Sequence, residues 1–148
     1  MTGVGILLSR SLIVQMKPAR LGHRRIFQFI INHYLRECFR GRTVARASEL
    51  AERLSANRAT LSRTMTEALG RTLLSELRAR QLDEAARLLR TTNLTIVEVA
   101  ARSAFGDRTT FFRVFRSAFE MTPGEYRKLA QERQQNTTLP SRNRRLSS

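Results

Sequence analysis

The chain has 148 residues, enough for one compact domain or two very small ones sharing a helix. Apolar residues make up 41% of it, an ordinary globular share that excludes disorder throughout. With 27 Lys+Arg against 12 Asp+Glu, the net charge of +15 points to a polyanionic partner, nucleic acid before an anionic membrane.

The chain opens on one apolar run, GVGILLSRSLIVQM at 3–16. Arg10 interrupts it, it is shorter than the roughly 20 residues of a membrane span, and no basic leader precedes it as in a secretory signal. Residues 1–22 therefore read as an N-terminal arm of a cytoplasmic protein with no membrane partner. From Arg24, Ile26, Phe27, Ile30, Ile31, Tyr34, Leu35 and Cys38 recur at spacings of three and four, one buried helical stripe that Gly41 ends. Cys38 is the only cysteine, which excludes an internal disulfide and a cysteine-cluster zinc site, and its place in the stripe makes it a core residue. His23 and His33 lack a third ligand nearby, so neither a metal nor any other cofactor is expected.

A short helix opens near Ser48, with Leu50, Ala51 and Leu54 inward. After a tight turn at Ser55-Ala56, Asn57 caps a second helix running to Leu69 with Leu61, Met65, Ala68 and Leu69 apolar, and Gly70 closes it. This is a helix-turn-helix outline. A longer helix follows from Thr72 to about Arg90, with Leu73, Leu77, Leu82, Ala85, Leu88 and Leu89 apolar. Then the outline repeats: Ile96, Val99 and Ala100 face inward, FGD makes the turn, and Asp107 caps a helix to about Phe119. With one extra turn residue allowed, Asn57 aligns with Asp107, Leu61 with Phe111, Met65 with Phe115 and Leu69 with Phe119. A last helix starts at Pro123, and residues 134–148, polar and basic, read as a disordered tail. The domain boundaries are thus 1–22, 23–133 and 134–148, with the first unit at 46–70, the linker helix at 72–91 and the second unit at 95–120. No strand is predicted; the fold class is all-α.

No catalytic constellation is present: there is no Gly-rich phosphate loop, and Ser62 and Ser103 read as helix-surface or turn serines. Binding remains. A helix reads the major groove when one face is anchored and the other carries donors near its N-terminus. In the first unit that face holds Arg58, Ala59, Ser62, Arg63 and Thr66. In the second it holds Arg108, Thr109, Arg113 and Arg116, flanked by Phe112. The linker of about 20 residues spans roughly 30 Å, close to the ~34 Å of one B-DNA turn, so one chain could place two readers in successive major grooves.

The stretches ELAERLSANRATLSR, QLDEAARLL and TIVEVAARSAFGDRTTFFRVFRSAFEMTPGEYR resemble the DNA-binding domain of the AraC/XylS transcription regulators over about residues 24–130. The second unit carries the strongest signature: the apolar-Glu-apolar-Ala run from Val97, then Phe105, Phe111, Phe115, Phe119, and Thr122-Pro123 before Tyr126-Arg127. The resemblance implies a seven-helix bundle of two helix-turn-helix subdomains joined by a central linker helix, on double-stranded promoter DNA in a bacterial cell. It also implies contact with RNA polymerase, and base reading by Ala59, Ser62 and Arg63 and by Arg108, Thr109, Phe112 and Arg113. Four positions depart from the family pattern: Ala104 and Glu120 replace glycines, Gln81 replaces an arginine, and Ala59 is small at a reading position. Ala104 must avoid positive φ or accept strain. About 22 residues before the first helix are too few for a sensor, so no small-molecule effector is expected within this chain. Two readings stay open: a regulator that works alone, or the C-terminal part of a longer one, with residues 3–16 as a remnant of its other domain. The rival readings are a nonspecific basic or architectural nucleic-acid binder, and an enzyme module of the DNA-repair methyltransferase kind. The latter needs a reactive cysteine, for which Cys38 is poorly placed.

Overall fold

A computed structural model describes residues 21–138, with side chains from 24 to 137. The apolar run at 3–16, the side chain of His23 and the residues from 139 onward lie outside the described residues. Seven helices and no strand occur among the described residues: α1 (Leu21–Gly41), α2 (Ala47–Arg53), α3 (Arg58–Leu69), α4 (Leu73–Thr91), α5 (Ile96–Arg102), α6 (Arg108–Phe119) and α7 (Pro123–Thr138). This is the all-α architecture expected from the sequence, with α2–α3 and α5–α6 as the two helix-turn-helix units and α4 as the rod between them.

The core is two clusters strung on that rod. Phe27, Ile31 and Leu35 of α1 pack with Leu61 and Met65 of α3 and with Leu73 and Leu77 at the start of α4. Leu82, Ala85, Leu88 and Leu89, further along α4, pack with Val99, Phe105, Phe111 and Phe115. Burying a leucine or phenylalanine side chain of this kind contributes roughly 1.5–3 kcal/mol, so each half of α4 is anchored to its own unit. Ile26 departs from the predicted stripe and is 39% exposed, because the buried arc of α1 is centred on Phe27, Ile31 and Leu35.

Helix ends follow local chemistry. The Asn57 side chain caps α3, Thr72 caps α4, Thr95 with Glu98 forms a capping box on α5, and Asp107 caps α6. Helix α2 starts at Ala47 rather than Ser48; its N-cap, Arg46, makes no side-chain cap bond. The Arg46 N–H instead donates to the Tyr34 hydroxyl at 2.9 Å. Gly41 is the last residue of α1, but the left-handed closing position falls on Arg42 (φ 53), and the Thr43 N–H donates to the Cys38 carbonyl at 3.0 Å. At the other end α1 reaches back to Leu21, inside the span read as an arm. Helix α7 continues to Thr138, so residues 134–138 are helix and not tail.

The repeat holds at the level of single hydrogen bonds. In the first turn Ser55 N–H donates to the Glu52 carbonyl and Ala56 N–H to Ala51; in the second, Ala104 donates to Ala101 and Phe105 to Ala100. Ser55 (φ 51) and Ala104 (φ 62) are both left-handed, as are Gly70 (φ 74) and Glu120 (φ 58) after α3 and α6. Ala104 thus accepts the strain rather than avoiding positive φ.

Candidate nucleic-acid interface

Helix α3 is fixed at its start by Asn57, whose Oδ1 accepts from the Ala59 N–H at 2.8 Å and the Thr60 N–H at 3.4 Å. Leu61 and Met65 are completely buried beneath it. On the outer face Arg58, Ala59 and Arg63 are exposed, while Ser62 and Thr66 are half-buried. The Thr66 hydroxyl donates to the Ser62 carbonyl at 2.6 Å, so its proton is committed to the helix and its oxygen is left as an acceptor.

Helix α6 is built the same way with larger side chains. Asp107 accepts from the Thr110 N–H and from the Thr110 hydroxyl, each at 2.7 Å. The backbone bond to Thr110 comes first among the causes that hold the Asp107 carboxyl below the usual range, with the nearby charge of Arg113 a smaller contribution. Beneath the helix the Phe111 ring lies 5.0 Å from Phe105 and 5.5 Å from Phe115, centroid to centroid. Phe119 and Tyr126 extend the aromatic column to α7. Arg108, Thr109, Arg113 and Arg116 are exposed on the opposite side.

Phe112 lies between the two faces. It is half-buried, its ring meets Phe111 edge-on at 6.0 Å, and the Arg108 guanidinium sits 4.9 Å from its centroid. It therefore closes one edge of the core and offers its outer face to an arginine.

Arg53, Arg71, Arg80 and Arg87 form ion pairs with Glu49, Glu76 or Glu84. Among the described residues, Arg58, Arg63, Arg108, Arg113 and Arg116 form none, and α6 carries no carboxylate. Their forked donors remain free for an external acceptor. Beside α6 a groove of about 480 Å³ is lined by Phe112, Arg113, Arg116, Ser117 and Thr122.

One residue of this surface escaped the sequence reading. Arg78 of the linker helix lies over the Phe105 ring at 5.2 Å, and its guanidinium is near Asp107 and Arg113. Burial first, and then the charge of Arg113, hold its pKa below the ordinary arginine value. The signal was available: Arg78 lies three residues before Gln81 and four before Leu82, on the side of α4 that meets the second unit. Gln81 is buried. Cys38 is buried as expected; Ser103 is a fully buried turn residue whose hydroxyl donates to the Val99 carbonyl at 2.6 Å. His33 is exposed and pairs with Glu37 at 3.5 Å. No helix among the described residues is long and apolar enough to cross a membrane.

Comparison with known proteins bears on this architecture. Residues 50–129, more than half of the chain, match a family model described as a helix-turn-helix domain. The chain is 41% identical over 66 residues to the transposon Tn10 TetD protein of Escherichia coli, covering 45% of this chain and 48% of that protein. It is 39% identical over 61 residues to the F1 operon positive regulatory protein of Yersinia pestis, covering 41% and 20% respectively. The chain thus spans at most about half the length of these relatives. Among solved structures, it resembles the C-terminal domain of the two-component response regulator yesN from Fusobacterium nucleatum. That match has a TM-score of 0.62 and 25% identity, and covers 72% of this chain and 98% of that one. It shares its fold with the DNA-binding domain of AdpA, a global transcriptional factor solved in complex with a target DNA. There the TM-score is 0.62 at 24% identity, with 71% and 96% covered. With its two helix-turn-helix units on one central helix and a family match across both, the chain belongs to the AraC/XylS-type helix-turn-helix family.

Proposed function

We propose that the protein is a sequence-specific double-stranded DNA-binding transcription regulator that sets α3 and α6 into successive major grooves. The observation that carries this reading is the exposed arginine face that two equivalent, capped and core-anchored helices present. Arg58 and Arg63 on α3 and Arg108, Arg113 and Arg116 on α6 are exposed and form no ion pair with a described residue, and the opposite face of each helix is anchored in the core by Leu61 and Met65 or by Phe111 and Phe115. Arg63 and Arg113, equivalent in the two units, address base edges. Arg58, Arg108 and Arg116 address bases or phosphates near the helix N-termini and flanks. Ala59 offers only a methyl group, suited to a thymine, and Thr66 can only accept, so the first unit reads fewer bases than the second. Arg78 adds charge beside Arg113 from the linker. The protein acts without catalysis, on promoter DNA in the cytoplasm, where it meets RNA polymerase.

The relatives support this reading by what their names state: one is an operon's positive regulatory protein, and AdpA was solved on its target DNA. The test is selection from a random DNA pool followed by competition at fixed salt. The proposal expects a shared sequence bound at least about 10³-fold more tightly than random DNA. A ratio near one would replace it with a nonspecific, architectural role.

A further inference from the structure

The linker helix is not the only connection between the two units. The loop between α1 and α2 reaches across to the second turn, where the Ala45 N–H donates to the Ala104 carbonyl at 3.1 Å. The neighbouring Val44 side chain packs 3.4 Å from where a Cβ on Gly106 would stand. From the linker, the Gln81 Nε2 donates to the same Ala104 oxygen at 2.7 Å. One carbonyl of the second turn thus holds two elements that are fixed to the first unit, and Ala104 itself is fully buried in the first unit's core cluster.

Gln81 sits at the point on α4 where one cluster ends, at Leu77, and the other begins, at Leu82. It is 1% exposed, and its remaining amide oxygen accepts from Arg78 Nη1 at 3.3 Å. Ser55, the equivalent of Ala104 in the first unit, is exposed. The joint is therefore one-sided: the second unit is pinned by its turn to the first. A rod bearing separate cores on its two halves can bend or twist between them. A buried amide bonded across that midpoint opposes both motions, because either would strand its donor.

We propose that Gln81 is a positioning residue that sets the separation at which the chain reads two DNA segments, acting through the Ala104 carbonyl to hold α6 in register with α3. The inference rests on the DNA-reading function above. Its test uses a duplex selected by the wild-type chain, versions with one or two base pairs inserted between the two protected segments, and a duplex carrying one segment alone. Wild type is expected to lose at least about tenfold in affinity on insertion. Gln81→Met keeps length and apolar bulk but removes the donor. It should shrink that penalty at least about threefold while leaving the single-segment affinity within about twofold. Val44→Ala loosens the same joint from the other side and should act in the same direction; it decides alone if Gln81→Met does not fold. Folded variants that keep the wild-type penalty overturn the inference, as does a wild type that selects a sequence yet tolerates insertions. A wild type that selects no sequence overturns the DNA-reading proposal itself, and this inference with it.

Discussion

The Arg108 guanidinium rests 4.9 Å from the centroid of the Phe112 ring, one helical turn along α6. The ring is held from behind by its edge-on contact with Phe111, so an aromatic rooted in the core braces an exposed arginine at the N-terminal end of the second reader. A braced guanidinium loses less side-chain entropy when it engages an acceptor. Phe112→Leu keeps the apolar edge but removes the π face, which is worth about 0.5–1 kcal/mol at an exposed site. The expected result is a melting temperature close to wild type with two- to fivefold weaker discrimination at one base pair. Unchanged discrimination in a binding titration against single-base variants would reduce Phe112 to a core residue.

Arg113 carries the clearest prediction of base reading. Arg113→Ala should cost about 1–3 kcal/mol on the selected site and much less on random DNA, relaxing preference at one or two adjacent positions. An equal loss on every duplex, with a shallower salt dependence, would mean that Arg113 holds only the backbone.

The acid response should be uneven. Glu98, Asp107 and Glu125 all sit at helix starts in the second half of the chain, and each is held below the usual carboxylate range first by a backbone N–H of its own helix end. A depressed folded pKa contributes stability that is present above the ordinary carboxylate pKa and lost as pH falls through the lowered value. Below about pH 4 the amides of α5, α6 and α7 should therefore exchange faster before those of α3, whose cap Asn57 does not titrate. Exchange that rises first in α3 would contradict this assignment.

Glu120 closes α6 in the left-handed region at φ 58, a position that Gly70 fills after α3. An exposed non-glycine residue there is strained, so Glu120→Gly should stabilise the chain by about 0.5–1 kcal/mol in urea unfolding. Gly70→Ala, with open space around the added methyl, should destabilise by about 1 kcal/mol through backbone strain alone. Opposite signs for the two substitutions are the outcome to check.

These positions also mark how far the sequence could be read. The caps Asn57 and Asp107 and the stripes Leu61–Met65 and Phe111–Phe115 were legible, because capping and helical periodicity are local and leave a pattern within a few residues. The duplication was legible for the same reason, down to the extra turn residue. The Ala104 joint was not. Its partners, Ala45 and Gln81, are distant in sequence, and a bond to a main-chain carbonyl constrains no side-chain pattern at the acceptor. The departures at Ala104 and Gln81 were visible separately, but only the fold shows that the two residues touch. The end of α7 was misread because Gln134–Thr138 is polar all round, so periodicity gave no sign of a helix there. The placement of Arg58, Ser62, Thr66, Arg63, Arg108, Arg113 and Arg116 on outer faces followed from the stripes opposite them.

The most direct test of the account is a hydroxyl-radical footprint on a selected duplex, with stoichiometry measured in the same samples. One chain per duplex should protect two segments whose centres lie about one helical turn, or 10–10.5 base pairs, apart. A single protected segment, or two chains required for both, would contradict the claim that one chain carries two readers at a fixed separation.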